Sequence, residues 1–291
     1  MRSIFRRSFT CLPRLGGIAC GLYCGLVAGL ALWSPPPAQA ENVALELVLA
    51  IDVSSSVNND EYRLQMSGFA EAFRHPAVIT VIESLGGQSI VVTLAQWSGA
   101  DTYVQAIDWT RIKDRASAQA FAAEIEKAPR LIDGGATAIG DAMLFARALL
   151  ELNDFTGTRR TIDISGDGIA NQGKHPAAAR ALLNADGITV NGLAILNEEP
   201  RLGAYYRAGV VGGPNAFLIT ATDFDDFARA IRIKLVTEID GPLISALPAE
   251  IELAAIEGRN DDLSDEGAME IPTPPTRSDN KDIPPHARRH F

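Results

Sequence analysis

Leu47-Val-Leu-Ala-Ile-Asp52-Val-Ser54-Ser-Ser56 carries an apolar run straight into three oxygen-bearing side chains at alternating positions, Asp52, Ser54 and Ser56. An apolar run of this length, ended by small polar residues, reads as a buried central strand of a parallel sheet. Open α/β folds gather ligands at the carboxyl ends of such strands, so the three side chains fall on the functional rim. One carboxylate and two hydroxyls, with no Cys or His nearby, suit a hard cation such as Mg²⁺ or Ca²⁺ and argue against zinc or copper.

Two later segments can complete such a site. In Asp133-Gly-Gly-Ala-Thr137-Ala-Ile-Gly140-Asp141-Ala-Met, paired glycines allow a tight turn before a helix, and Thr137 offers a further hydroxyl. Thr161-Ile-Asp-Ile-Ser-Gly166-Asp167-Gly168-Ile-Ala-Asn171 is a β-branched strand ending in Asp between two glycines, which brings Asp167 to the same rim.

In this order Asp52/Ser54/Ser56, Thr137 and Asp167 resemble the metal-ion-dependent adhesion site of von Willebrand factor type A domains. The resemblance spans residues 43–240 and is similar to secreted bacterial members. Gly166-Asp167-Gly168 departs from the family's Thr-Asp-Gly by a glycine in place of the usual Thr. The resemblance implies that Ser54, Ser56 and Thr137 approach Mg²⁺, with Mn²⁺ or Ca²⁺ as alternatives, while Asp52 and Asp167 act as outer carboxylates. It also implies a binding domain rather than an enzyme: neutral hydroxyls leave the ion's charge largely uncompensated, and an open position takes an Asp or Glu carboxylate from a partner protein.

The remaining pattern alternates strands with helices, as expected for a doubly wound, mostly parallel six-stranded α/β sheet with helices on both faces and one antiparallel edge strand. Helices are expected at 58–74, 117–128, 138–152 and 224–238. Strands are expected at 88–97 and 102–109, joined as an edge hairpin, and at 188–196 and 216–220, with helical segments on either side of each of these last two.

Residues 1–40 read as a signal peptide. Arg6 and Arg7 precede an apolar Gly16–Trp33 stretch, and Ala38-Gln-Ala40 forms a cleavage signal. The mature chain is thus expected to be exported, periplasmic or extracellular, with an uncleaved anchor as the alternative. Arg6-Arg7-Ser-Phe also resembles a twin-arginine signal. All 3 cysteines lie in this segment, so the mature chain carries no disulfide and relies on its core. Losing its four arginines from 26 basic residues leaves 22 against 36 acids, a formal charge of −14. That balance disfavours nucleic acid and anionic lipid as partners. Residues 241–291, acidic and proline-rich, read as a disordered tail, with 243–256 as a short appended helix.

Trp97 closes the strand beside Asp52, where core packing competes with a place on the partner surface. Asp141 meets the start of a helix, a role that explains it better than metal ligation. Asp133 and Asp163 are candidates for outer positions. His75 and His175 precede prolines at turns or helix starts, and no histidine reads as a catalytic base. The rival enzyme reading is a haloacid-dehalogenase-like phosphatase, which also places Asp at the end of its first strand. It needs a second Asp where Ser54 stands. A structural domain whose metal site has lost its function is the other alternative.

Overall fold

The central strand β1 (Glu41–Asp52) is buried from Val43 to its end, as its unbroken apolar sequence requires. In the computed structural model, which describes residues 40–241, it is followed by α1 (Asn59–Arg74), α2 (Pro76–Glu83), β2 (Ile90–Trp97), β3 (Tyr103–Ile112), α3 (Arg115–Lys127) and α4 (Ile139–Glu151). Then come β4 (Phe155–Gly166), α5 (Pro176–Ala185), β5 (Thr189–Ile195), α6 (Leu202–Gly209), β6 (Leu218–Ala221) and α7 (Phe227–Asp240). The signal segment, the acidic tail and the appended helix lie outside the described residues.

The six strands form one sheet in the order β3-β2-β1-β4-β5-β6. Pairs β1/β2, β4/β5 and β5/β6 are parallel, and β3 is the antiparallel edge. The doubly wound expectation therefore holds. The order reverses between β1 and β4, the kind of switch point at whose carboxyl ends open α/β folds bind ligands.

Strand alternation divides the core. Leu45, Leu47, Leu49, Ile51 and Val53 face one layer with Phe69, Phe73, Phe121, Phe227 and Leu235. Val48 and Ala50 face the other with Ile139, Met143, Leu183 and Tyr206. Edge-to-face contacts of Phe69 with Phe227, 5.2 Å between centroids, and of Phe73 with Phe121, 4.9 Å, tie α1 to α7 and α3. Each such pair is worth about 1 kcal/mol beyond its buried area.

By the same alternation Asp52 shares the face of Val48 and Ala50, the face over which Tyr206 packs. The chain then leaves the sheet at once, because Asn58 caps α1. Its Oδ1 accepts from the Asp60 and Glu61 amides, and Glu61 Oε2 accepts from the Asn58 amide. This capping box is worth about 1 kcal/mol and sets the length of the Val53–Val57 loop.

One helix forms where no element was expected, and β4 is longer than expected. Ala77–Glu83 is helical although its Val-Ile-Thr-Val-Ile run favours a strand. Pro76 at the first turn and His75, whose Nδ1 accepts from the Ala77 amide, start α2, and the exposed and buried faces then follow helical spacing. β4 begins at Phe155, six residues before its apolar part, because the buried Glu46 receives the Gly157 amide at 2.5 Å and Asn153 Nδ2 at 2.8 Å.

Candidate metal-binding site

The five oxygen-bearing residues come from three loops at the switch point. Asp52 ends β1 fully buried, with Oδ1 accepting the Ser54 amide at 2.7 Å. This contact folds the chain back at once and turns Ser54 inward, where it is 1% exposed. Ser54 Oγ lies 3.1 Å from Ser56 Oγ, and Ser56 Oγ donates to Asp167 Oδ1 at 2.7 Å. Three of the expected side chains thus form one hydrogen-bonded row. Thr137, 6% exposed, faces the same place from the α3–α4 loop: a Cβ added at Gly168 would lie 3.6 Å from Thr137 Oγ1.

The loops are held by partners with no motif of their own. Gly134 and Gly135 have φ of 78° and 131°, values only glycine adopts freely. Between them and β1 stands Ser55, whose amide donates to the Gly135 carbonyl at 3.0 Å and whose Oγ accepts the Gly135 amide at 2.9 Å. Ser98, just past β2, donates its hydroxyl to the Gly134 carbonyl at 2.8 Å. Asn171 brackets Thr137, taking its amide on Oδ1 at 2.9 Å and giving its own amide to the Thr137 carbonyl at 2.9 Å. Ser55 and Asn171 lie inside the stretches that mark the site, and only their packing reveals their roles.

Arg130 has no motif around it. Its guanidinium donates to the carbonyls of Val57 at 2.8 Å and Val53 at 2.9 Å, strapping both ends of the Val53–Val57 loop. Gln96 fixes the backbone that carries it: Oε1 accepts from the Leu131 amide at 2.7 Å and Nε2 donates to the Pro129 carbonyl at 2.8 Å.

Charge is concentrated here. Burial, reinforced by the Asp167 carboxylate, pushes the Asp52 carboxyl up to about 7, against the lowering effect of the Ser54 contacts and Arg130. Burial also raises Asp167, opposed by the Ser56 hydrogen bond and assisted by Glu198. Asp52 Oδ2 and Asp167 Oδ2 are buried without a hydrogen-bond partner. Two buried, mutually repelling carboxylates with free lone pairs beside three hydroxyls fit a hard divalent cation. Among the described residues no group of three or more His, Cys, Asp or Glu is placed to hold a metal.

Other expectations resolve as follows. Trp97 is 1% exposed in the Ile139/Met143 layer, so it packs in the core rather than lining a partner surface. Asp141 accepts the Lys174 amide at 2.7 Å and thereby anchors the loop after β4. Asp133 is exposed. Asp163 is not an outer residue of this site: one-residue alternation along β4 turns it to the opposite face, where it pairs with Lys234 of α7 at 2.8 Å. His75 and His175 cap α2 and α5.

Solved structures similar to this chain include proximal thread matrix protein 1 from the mussel byssus with a zinc-occupied MIDAS motif, 18% identical, TM-score 0.48, over 68% of this chain and 48% of that one. A von Willebrand factor type A protein from Catenulispora acidiphila is 17% identical, TM-score 0.46, over 68% and 43%. An aerotolerance-related membrane protein from Bacteroides fragilis is 22% identical, TM-score 0.39, over 66% and 98%. The chain thus spans less than half of the mussel and Catenulispora proteins. No curated protein matches it in sequence. The sequence profile described as "Protein of unknown function (DUF1194)" matches residues 42–243: the chain belongs to that family.

Proposed function

We propose that this chain is an exported protein-binding domain that engages a partner through a divalent cation. Ser54, Ser56 and Thr137 hold the ion, Asp52 and Asp167 orient those hydroxyls and balance its charge, and Mg²⁺ is the expected occupant, with Mn²⁺ or Ca²⁺ as substitutes. When bound, the ion supplies concentrated positive charge with coordination to spare, which an Asp or Glu carboxylate of the partner fills. The observation that carries the reading is the pair of buried, partnerless carboxylate oxygens beside a row of hydroxyls. A formal charge of −10 over the whole chain makes the cation the local attractor for an acidic group. Binding rather than catalysis is favoured because Ser54 stands where a phosphatase needs its acid.

The test is calorimetric titration of Mg²⁺ and Mn²⁺ into the full chain and into its Asp52→Ala variant. Saturable binding to the wild type, lost in the variant while its far-ultraviolet circular dichroism is unchanged, is the expected result. Equal heats from both proteins would remove the metal from this site and leave a structural domain.

A further inference from the structure

Gly166, where the resembled family carries Thr, is glycine for a reason that the surrounding atoms supply. A Cβ at this position would stand 2.8 Å from Asp52 Oδ2, 2.9 Å from the Tyr206 hydroxyl oxygen and 3.2 Å from Asp52 Cβ. Any side chain at 166 would enter the space between a carboxylate oxygen and a phenol. Those two atoms share more than this neighbour. Asp52 Oδ2 and Tyr206 Oη are both fully buried, and each lacks a hydrogen-bond partner. One is an acceptor and the other can donate. Tyr206 belongs to α6, and its ring is packed in the layer formed by α4, α5 and α6, 0% exposed, so its hydroxyl is carried to this place by a rigid support. Gly192 on β5 also accommodates the ring closely, since a Cβ there would lie 2.9 Å from Tyr206 Cδ1.

We propose that Tyr206 is a positioning residue of the metal site: its hydroxyl donates to Asp52 Oδ2 across the gap left by Gly166 and fixes the carboxylate whose other oxygen orients Ser54. The assignment rests on the metal-binding reading for its purpose, although the contact itself needs no metal. A buried hydroxyl and a buried carboxylate oxygen left apart each forfeit a hydrogen bond, and both lie within 2.9 Å of the point a Cβ at 166 would occupy. With Oδ1 held by the Ser54 amide and Oδ2 by Tyr206, Asp52 has one orientation, and Ser54 then has one as well.

Two measurements on the full chain separate the contact from its use. The first is urea unfolding in EDTA of the wild type, Tyr206→Phe, Asp52→Ala and the double variant. Tyr206→Phe keeps the ring in the core, so the expected result is at least a fivefold drop in the folding equilibrium constant with Asp52 present and less than twofold with Ala at position 52. Additive effects of the two substitutions would overturn the proposal, whether or not the protein binds metal. The second is calorimetric titration with Mn²⁺, where Tyr206→Phe is expected to raise Kd about tenfold. Coupled unfolding with an unchanged Kd would overturn the positioning role. Coupled unfolding in a wild type that binds no Mn²⁺ would support the Tyr206–Asp52 contact and remove the function proposed above. If Tyr206→Phe proves unstable, Gly166→Ala tests the same gap: a methyl group there crowds Asp52 Oδ2 and the Tyr206 hydroxyl, and weakened Mn²⁺ binding supports the assignment. Unaltered binding in Gly166→Ala would count against it.

Discussion

Asp52 turns a sequence motif into a measurable titration. In the metal-free protein its carboxyl is raised by burial and by Asp167 to about 7, against 3.8 for an exposed aspartate. Between those values the native state keeps a proton that the unfolded chain has released, so stability falls as pH rises through this window and is greatest below it. The ceiling on this one group is about 4 kcal/mol. Urea midpoints measured in EDTA are expected to be higher at pH 5 than at pH 7.5. Asp52→Asn should narrow the gap, and Asp163, also raised by burial, accounts for a share of what remains. A pH-independent midpoint would contradict the burial argument. Metal binding has the opposite dependence, since a cation must displace the proton: Mg²⁺ should bind at least tenfold more tightly at pH 7.5 than at pH 5.5 in a titration at constant ionic strength. At this scale Asp52, Ser54, Ser56, Thr137 and Asp167 were legible as oxygen donors ending strands and loops. Tyr206 was not, because its value depends on which glycine it faces across the sheet.

Elements place these residues through backbone contacts that leave few marks in sequence. Arg130 is the case with most at stake, since its fork reaches the carbonyls of Val53 and Val57 together. A lysine keeps the charge but cannot span two carbonyls in one plane. Arg130→Lys is therefore expected to cost about 1–3 kcal/mol in chemical denaturation and to weaken Mn²⁺ binding in calorimetry. Loss of neither would show that Asn58 and Ser55 hold the loop without it. The β1 run, the β2–β3 hairpin and the capped start of α1 were readable because hydrophobic period, turn residues and cap agree locally. α2 was not, since its β-branched run opposes the helix that Pro76 and His75 initiate, and the early start of β4 depends on Glu46, more than 100 residues away in sequence.

Across the whole molecule, the layer that α7 shares with α1 holds a buried ionic cluster on the face of the sheet opposite Asp52. Lys234 of α7, fully buried, pairs with Asp163 of β4 and with Glu238 one turn along its own helix, while Asn191 Nδ2 donates to Glu238 Oε1 at 2.9 Å. Lys234→Met would strand two carboxylates in the core and is expected to cost about 3–5 kcal/mol, more at pH 8 than at pH 5, where protonation of Asp163, raised to about 7 by burial, relieves it; urea unfolding at both values reads the difference. The alternation of strands and helices and the antiparallel edge were legible from the patterns, but the cluster was not. A lone Lys in an amphipathic helix reads as surface until the sheet is assembled beneath it.

The rim draws on residues 52, 137 and 167, which are 85 and 30 positions apart along the chain. No single loop carries a cage, in contrast to sites whose ligands follow one another within a dozen residues. On the function proposed above, capacity for an ion arises only when three distant crossings have closed, so the finished sheet and not the nascent chain would choose the metal. A chain that traverses a membrane already folded brings its ion from the side where it was made. One that is threaded through unfolded takes whatever ion awaits it beyond. If the chain is exported and holds an ion as proposed above, the route of export and the identity of the metal are a single question, which the metal content of protein recovered from either route answers.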